Sequence, residues 1–234
     1  MSDDLATDAL ARDALVALLT VTTGAVDATT FIALGKVFGS VMTGNLVVLG
    51  VAAASHAAGQ AAHSGLALAG YAAGVLVGVP LAARSAQPGR AARWRRTWPV
   101  SVTVTLAAEL VLLAAFLATW EFAVGQLRGP VELWLTALAS AGMGMQAAAV
   151  RRLGQMSSTY LTSTLTGVLA GVATRTRPEG LYRSVGALVA IVAGAVAGGL
   201  LVLYAPRWLP LVVLIPLAGV IAAALSRQRS ATAS

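Results

Sequence analysis

The stretch "GSVMTGNLVVLG", Gly39 to Gly50, is apolar in content, yet Ser40, Thr43, Asn45 and three glycines interrupt it. A membrane-spanning helix has no reason to carry such a break. Irregular backbone at membrane depth is tolerated only where protein buries it or where it lines a cavity. A second stretch, "TSTLTGVLAG", Thr162 to Gly171, is built the same way. The fold turns on whether these two stretches cross a membrane or enter it and turn back.

The surroundings establish that a membrane is involved. The chain has 234 residues, 58% of them hydrophobic and 11% charged. Soluble domains carry about 25% charged residues, so this chain cannot cover a globular surface. Its apolar residues fall into eight segments, roughly 14–35, 38–55, 64–83, 99–120, 131–150, 158–173, 181–204 and 208–226. Several reach the about 20 residues that a spanning helix needs. The chain reads as an all-α polytopic membrane protein with a single membrane domain, 1–234. The acidic start "MSDDLATDALARDA" lacks a basic n-region, so no cleaved signal peptide is expected. With no Cys, disulfides and thiolate-bound metals are excluded.

Charge between the segments reports topology. The net charge is +7, and the arginines gather between apolar runs, where they signal a cytoplasmic side and contact with anionic headgroups rather than nucleic acid. The most basic connection, "RSAQPGRAARWRR" (84–96), belongs in the cytoplasm. The connection around 121–130, with Glu121 and Arg128, belongs outside. If all eight segments spanned, Arg175, Arg177 and Arg183 would lie outside, as would Arg227 and Arg229. If the short sixth segment, rich in Ser and Thr, re-enters, all of them return inside. The same logic applied to the second segment gives six spanning helices plus two re-entrant or broken segments, with both termini cytoplasmic. Eight spanning helices is the alternative. Trp94, Trp98, Trp120, Trp134 and Trp208 fall at segment ends, as an interfacial aromatic belt would place them.

Residue 38 laid over residue 161 brings Ser40 onto Ser163, Thr43 onto Thr166, Gly44 onto Gly167 and Leu46 onto Leu169. Upstream, "TTGAVDA" (22–28) roughly matches "SAGMGMQA" (140–147). This is a weak internal repeat of 14–120 and 131–226. Three spans in each half would make it a 3+3 inverted repeat. Matching Gly-interrupted segments in inverted halves point to a transporter site near the midplane. On that reading Thr43, Gly44 and Asn45 should meet Thr166 and Gly167 there.

"TGAVDATTFIALGKVFGSVMTGNLVVLG" (23–50) and "AGMGMQAAAVRRLGQMSSTYLTSTLTG" (141–167) resemble the YoaK-like family of bacterial integral membrane proteins. The resemblance covers nearly the whole chain. It implies a multi-pass protein of the bacterial inner membrane and carries no established activity.

Asp27 lies mid-way along the first segment. Thr20, Thr23, Asp27 and Thr30 recur at helical spacing as one polar stripe. A carboxylate at the bilayer centre is costly, by about 2.5 kcal/mol or more, which marks Asp27 as a cation- or proton-coupling group. Glu109, central in the fourth segment, is the other deep acid. No Lys or Arg sits mid-segment to neutralise either. Gln146 and Asn45 offer amides that could serve a site or join helices. "GMGMQA" (142–147) fits G-x-G-x-x-A but lacks the strand that a dinucleotide fingerprint requires. Gly70, Gly74 and Gly78, and also Gly194 and Gly198, form faces for close helix packing. His56 and His63 lack a neighbouring acid in sequence and make no metal site. Arg90, Arg93, Arg95 and Arg96 are read as topology signal and headgroup contact.

No catalytic motif is present, so no enzyme and no cofactor is expected. The leading reading is a transporter or channel for a small solute or ion, proton- or cation-coupled, with Asp27, Thr43, Gly44, Asn45, Glu109, Gln146, Thr166 and Gly167 at its site. The alternative is a membrane scaffold or accessory subunit whose polar residues only join helices. The expected partners are the lipid bilayer and an unidentified solute or ion. A homo-oligomer is allowed.

Overall fold

A computed structural model describes residues 2–84, 98–123, 127, 129–154, 161–175 and 180–233. Its described regular structure is helical: α1 Ser2–Ala33, α2 Met42–Ala54, α3 Ala58–Ala83, α4 Val100–Ala123, α5 Pro130–Arg152, α6 Leu161–Ala173, α7 Leu181–Tyr204 and α8 Leu209–Ala233, with a 3-10 turn at Pro206–Trp208. Six of these are long and apolar enough to cross a membrane. The other two, α2 and α6, have 13 residues each. At 1.5 Å per residue such a helix is about 20 Å long, short of the about 30 Å hydrocarbon core. The chain is therefore an all-α multi-pass membrane protein, with six helices long enough to span and two too short among the described residues.

Contacts near the helix ends fix the threading. At one end Arg183 Nε meets Asp13 at 2.9 Å and Arg227 meets Asp8 at 3.9 Å. Gln228 donates to Thr103 Oγ1 there at 3.2 Å, and Ser101 Oγ donates to Ala82 O at 2.8 Å. So the start of α1, the end of α3, the starts of α4 and α7 and the end of α8 share that end. At the opposite end Gln60 Nε2 donates to Gly35 O at 2.5 Å and Trp120 Nε1 donates to Pro206 O at 3.2 Å. The chain thus leaves α1 and enters α3 at the same end, with α2 between. It likewise leaves α5 and enters α7 at the basic end, with α6 between.

Two helix pairs form the tightest packing. Gly70 and Gly74 of α3 lie on Ala137 and Ala141 of α5, and Gly144 of α5 fits against Tyr71 and Val75 of α3. Gly194 and Gly198 of α7 lie on Val21 and Ala25 of α1, and Gly24 of α1 fits against Ile191 and Ala195. In each case a side chain would drive into the partner's backbone. The faces predicted from Gly70–Gly78 and Gly194–Gly198 are present, each with a reciprocal glycine, Gly144 and Gly24. Register increases together along both pairs, so both are parallel.

The remaining packing repeats this plan. α2 packs on α3 and α6 on α7; α4 packs on α5 and α8 on α1; α3 touches α4 and α7 touches α8. Adding four to each helix number turns one member of every such couple into the other. α4 against α8 and α1 against α5 map onto themselves.

The aromatic expectation needs correction. Trp134 and Trp208 are exposed at helix ends, as an aromatic belt requires. Trp98 and Trp120 instead are buried in the core, because Trp98 Nε1 finds Thr103 Oγ1 at 3.1 Å and Trp120 Nε1 finds Pro206 O. Trp94 and Arg90, Arg93, Arg95 and Arg96 lie outside the described residues, as do Arg128 and Arg177.

Candidate functional site

α1 stops where Gly35 and Lys36 take the left-handed backbone, φ 80° and 58°. For Lys this conformation costs about 1–2 kcal/mol. The Lys36 ammonium sits 5.5 Å above the Phe31 ring, which stacks on Phe38 at 5.0 Å. The chain therefore reverses and runs back along α1 in non-helical form. It reaches Asp27, two turns in from the helix end. Ser40 N donates to Asp27 Oδ1 at 2.7 Å and Ser40 Oγ donates to Asp27 Oδ2 at 2.6 Å. α2 then starts and climbs back to the surface. Asp27 is 6% exposed, and Ser40, just ahead of the α2 N-terminus, meets both of its oxygens.

Asn45 makes this descent possible. Its Oδ1 accepts from Phe38 N at 2.8 Å and its Nδ2 donates to Phe38 O at 2.6 Å. A buried non-helical segment must satisfy its own backbone, and the Asn45 amide replaces the missing helix partners. Asn45 thus braces the turnback rather than facing a solute.

A second set of polar groups lies one turn away on the same face of α1. Thr23 Oγ1 approaches Gln146 Oε1 at 2.5 Å and also Leu19 O at 3.1 Å. Gln146 Nε2 donates to Glu109 Oε1 at 3.0 Å. Glu109 is 0% exposed, and its Oε2 has no hydrogen-bond partner among the described residues. Thr23, Gln146 and Glu109 therefore link α1, α5 and α4 through the interior, with Asp27 and Ser40 as their extension.

Of the expected site residues, Gln146 and Glu109 are thus joined, and Asp27 lies one turn from Thr23 on the same face of α1. The other expected residues are not brought to them. Thr43 is exposed at the start of α2. Gly44 faces Phe38 and Val41 of its own segment. Thr166 is exposed and bonds back to Thr162 O at 2.9 Å, and a Cβ on Gly167 would meet nothing within 4 Å. The expected packing of α2 to α6 through these two glycines is not what the geometry provides, because each short helix is held by its own neighbour, α3 or α7. Ser40, the closest partner of Asp27, was visible in sequence only as a repeat match. Its signal is a Gly-Ser pair one residue ahead of a helix cap.

His63 also differs from expectation. A carboxylate does stand beside it: His63 Nε2 lies 3.6 Å from Glu132 Oε2 and Nδ1 lies 3.4 Å from Thr136 Oγ1. Among the described residues no group of three His, Cys, Asp or Glu could hold a metal ion. Gly142–Ala147 lie within α5, so the dinucleotide resemblance has no strand to stand on.

The family model for a "Protein of unknown function (DUF1275)" matches residues 15–225. The chain belongs to the DUF1275 family. This DUF1275 chain is 30% identical, over 173 residues, to the UPF0700 transmembrane protein YoaK of Bacillus subtilis (strain 168). That match covers 72% of this chain and 71% of YoaK. No solved structure matches. The family match spans α1 through most of α8 and so includes Asp27, Ser40, Glu109 and Gln146.

Proposed function

We propose that this DUF1275 protein moves a small solute or ion across the bacterial inner membrane, coupled to a proton or another cation. The observation that carries the reading is the turnback of residues 35–41, which brings Ser40 to a buried Asp27 inside the bundle. Non-helical backbone is put at membrane depth only at a cost, and membrane proteins use it at ion and substrate sites. Glu109 supplies a second acid in the same interior, and intramembrane acids of this kind mark ion and proton pathways. Among the described residues no basic side chain is paired with either, so a cation suits the site better than an anion.

The packing couples support a 3+3 inverted repeat. Gly24 and Gly144, Gly74 and Gly194, and Gly78 and Gly198 occupy matching positions at one common spacing, and α1 and α5 run in opposite directions. Arg12, Arg84, Arg151, Arg152, Arg183, Arg227 and Arg229 share the end that holds both termini, so that end is cytoplasmic by the positive-inside rule.

A specific observation also favours the scaffold reading: Ser40 occupies both oxygens of Asp27, as a purely structural contact would. Proteoliposomes separate the two. Under an imposed pH gradient, wild-type protein is expected to give pH-dependent uptake in a solute and cation screen. Asp27→Asn and Glu109→Gln should insert and fold but lose that dependence. Uptake with unchanged pH dependence in both variants, or no uptake of anything by wild type, leaves the scaffold reading in its place.

A further inference from the structure

The proposed site lies deep in the bundle, and the residues above it at the His63 end have no role in it so far. Glu132, Thr136 and Ser140 stand at i, i+4 and i+8 along one stripe of α5, with Met143 next on the same face. The top of the stripe is the His63–Glu132 pair and the Thr136 hydroxyl. The bottom is Met143, which meets the turnback: a Cβ on Gly39 would lie 3.5 Å from Met143 Cγ and 3.6 Å from Asp27 Oδ1. The stripe therefore runs from the membrane surface to the carboxylate of Asp27.

Its middle is the unusual part. Ser140 is fully buried and its Oγ has no hydrogen-bond partner among the described residues. Ser64, which follows His63 on α3, is in the same condition. A helical Ser ordinarily returns its hydroxyl to the carbonyl one turn back, as Thr136 does to Glu132 O at 2.8 Å. These two do not. Leaving a buried hydroxyl unpaired is costly, and Ala at either position would avoid that cost.

We propose that the Glu132–Thr136–Ser140 stripe, with His63 and Ser64 opposite, is the approach by which a small monovalent cation reaches Asp27 from the end opposite the termini. This rests on the transport reading above. Glu132 attracts the cation at the surface. Thr136 and Ser140 then offer hydroxyl oxygens in place of lost water, and Asp27 receives the charge. Oxygen-only ligands of this kind suit a hydrated proton or an alkali cation.

Because the chain has no native Cys, single cysteines report the path directly. Thr136→Cys and Ser140→Cys, near-isosteric changes, are treated in proteoliposomes with a cationic methanethiosulfonate added from the side of the His63 end. Both should react at a fixed pH, since the thiolate is the reacting form, and sodium on that side should slow the reaction if the path takes an alkali cation. Reaction that sodium leaves unchanged, with uptake still driven by a pH gradient, identifies a proton path. Leu113→Cys, buried between α4 and α5, should stay unmodified. No reaction at Ser140→Cys, or equal reaction at Leu113→Cys, overturns the path even if Asp27→Asn abolishes coupled uptake. Conversely, labelling at Ser140→Cys with uptake insensitive to Asp27→Asn would leave the path and remove the coupling role of Asp27. In transport itself, Ser140→Ala should raise the KM for the driving cation by about tenfold, the worth of one hydrogen bond. An unchanged KM would also count against the proposal.

Discussion

Asp27, Ser40 and Asn45 form one unit, and each is open to a sharp test. Ser40→Ala removes the Oγ donor and leaves Asp27 Oδ2 unsatisfied in a buried place, a loss of about 1–3 kcal/mol. Thermal unfolding in detergent should show it as a lowered transition, and Ser40→Thr should restore most of it. Asn45→Ala strands both Phe38 N and Phe38 O, with a loss at least as large. Asn45→Asp keeps the acceptor alone and should fall between. Wild-type stability in Asn45→Ala would mean that the turnback is held by something else. Asp27 and Glu109 were legible from sequence because a carboxyl in an apolar run has no bland reason to be there. Ser40 was not, since its role depends on the chain doubling back over a distance that no periodicity encodes. Glu132 was hidden for another reason: its partner, His63, lies on α3, which meets α5 only after the chain has passed through α4.

At the level of the helix, glycine decides what can approach. Gly74→Val and Gly194→Val each push a branched side chain into a partner backbone. Overpacking costs about 1–3 kcal/mol and more where backbone must yield, so both should lower folded yield in fluorescence-detected gel filtration. Gly167→Val faces open space and should be tolerated. If Gly74→Val and Gly167→Val behave alike, the glycine faces are not the packing surfaces described. Small-xxx-small spacing made α3 and α7 readable as packing helices. It could not say that α3 would choose α5, or α7 choose α1, because spacing describes a surface and not its partner. For the same reason α6 was over-read. Its hydroxyls resemble those of α2, but Asn45 has Leu165 or Val168 as its counterpart depending on the alignment, and neither offers an amide to brace a turnback.

For the whole molecule, the basic end and the six long helices were legible because charge and length act locally, segment by segment. Fusions of a cytoplasmic reporter at residue 175 and after residue 229 should both give cytoplasmic signal. A periplasmic signal at either would contradict the shared end seen for Arg183 and Arg227. The tight pairs carry a consequence for biogenesis. Each joins an early helix to a late one: α1 to α7, α3 to α5. While the ribosome is still making the second half, α1 and α3 must wait in the bilayer with their glycine grooves unfilled and Asp27 only partly enclosed. A fragment ending at residue 123 should therefore be short-lived in cells, cleared by membrane proteolysis. Co-expression with residues 124–234 should rescue both pieces as a complex that survives purification. A long-lived N-terminal fragment would show that the halves mature separately and only later dock.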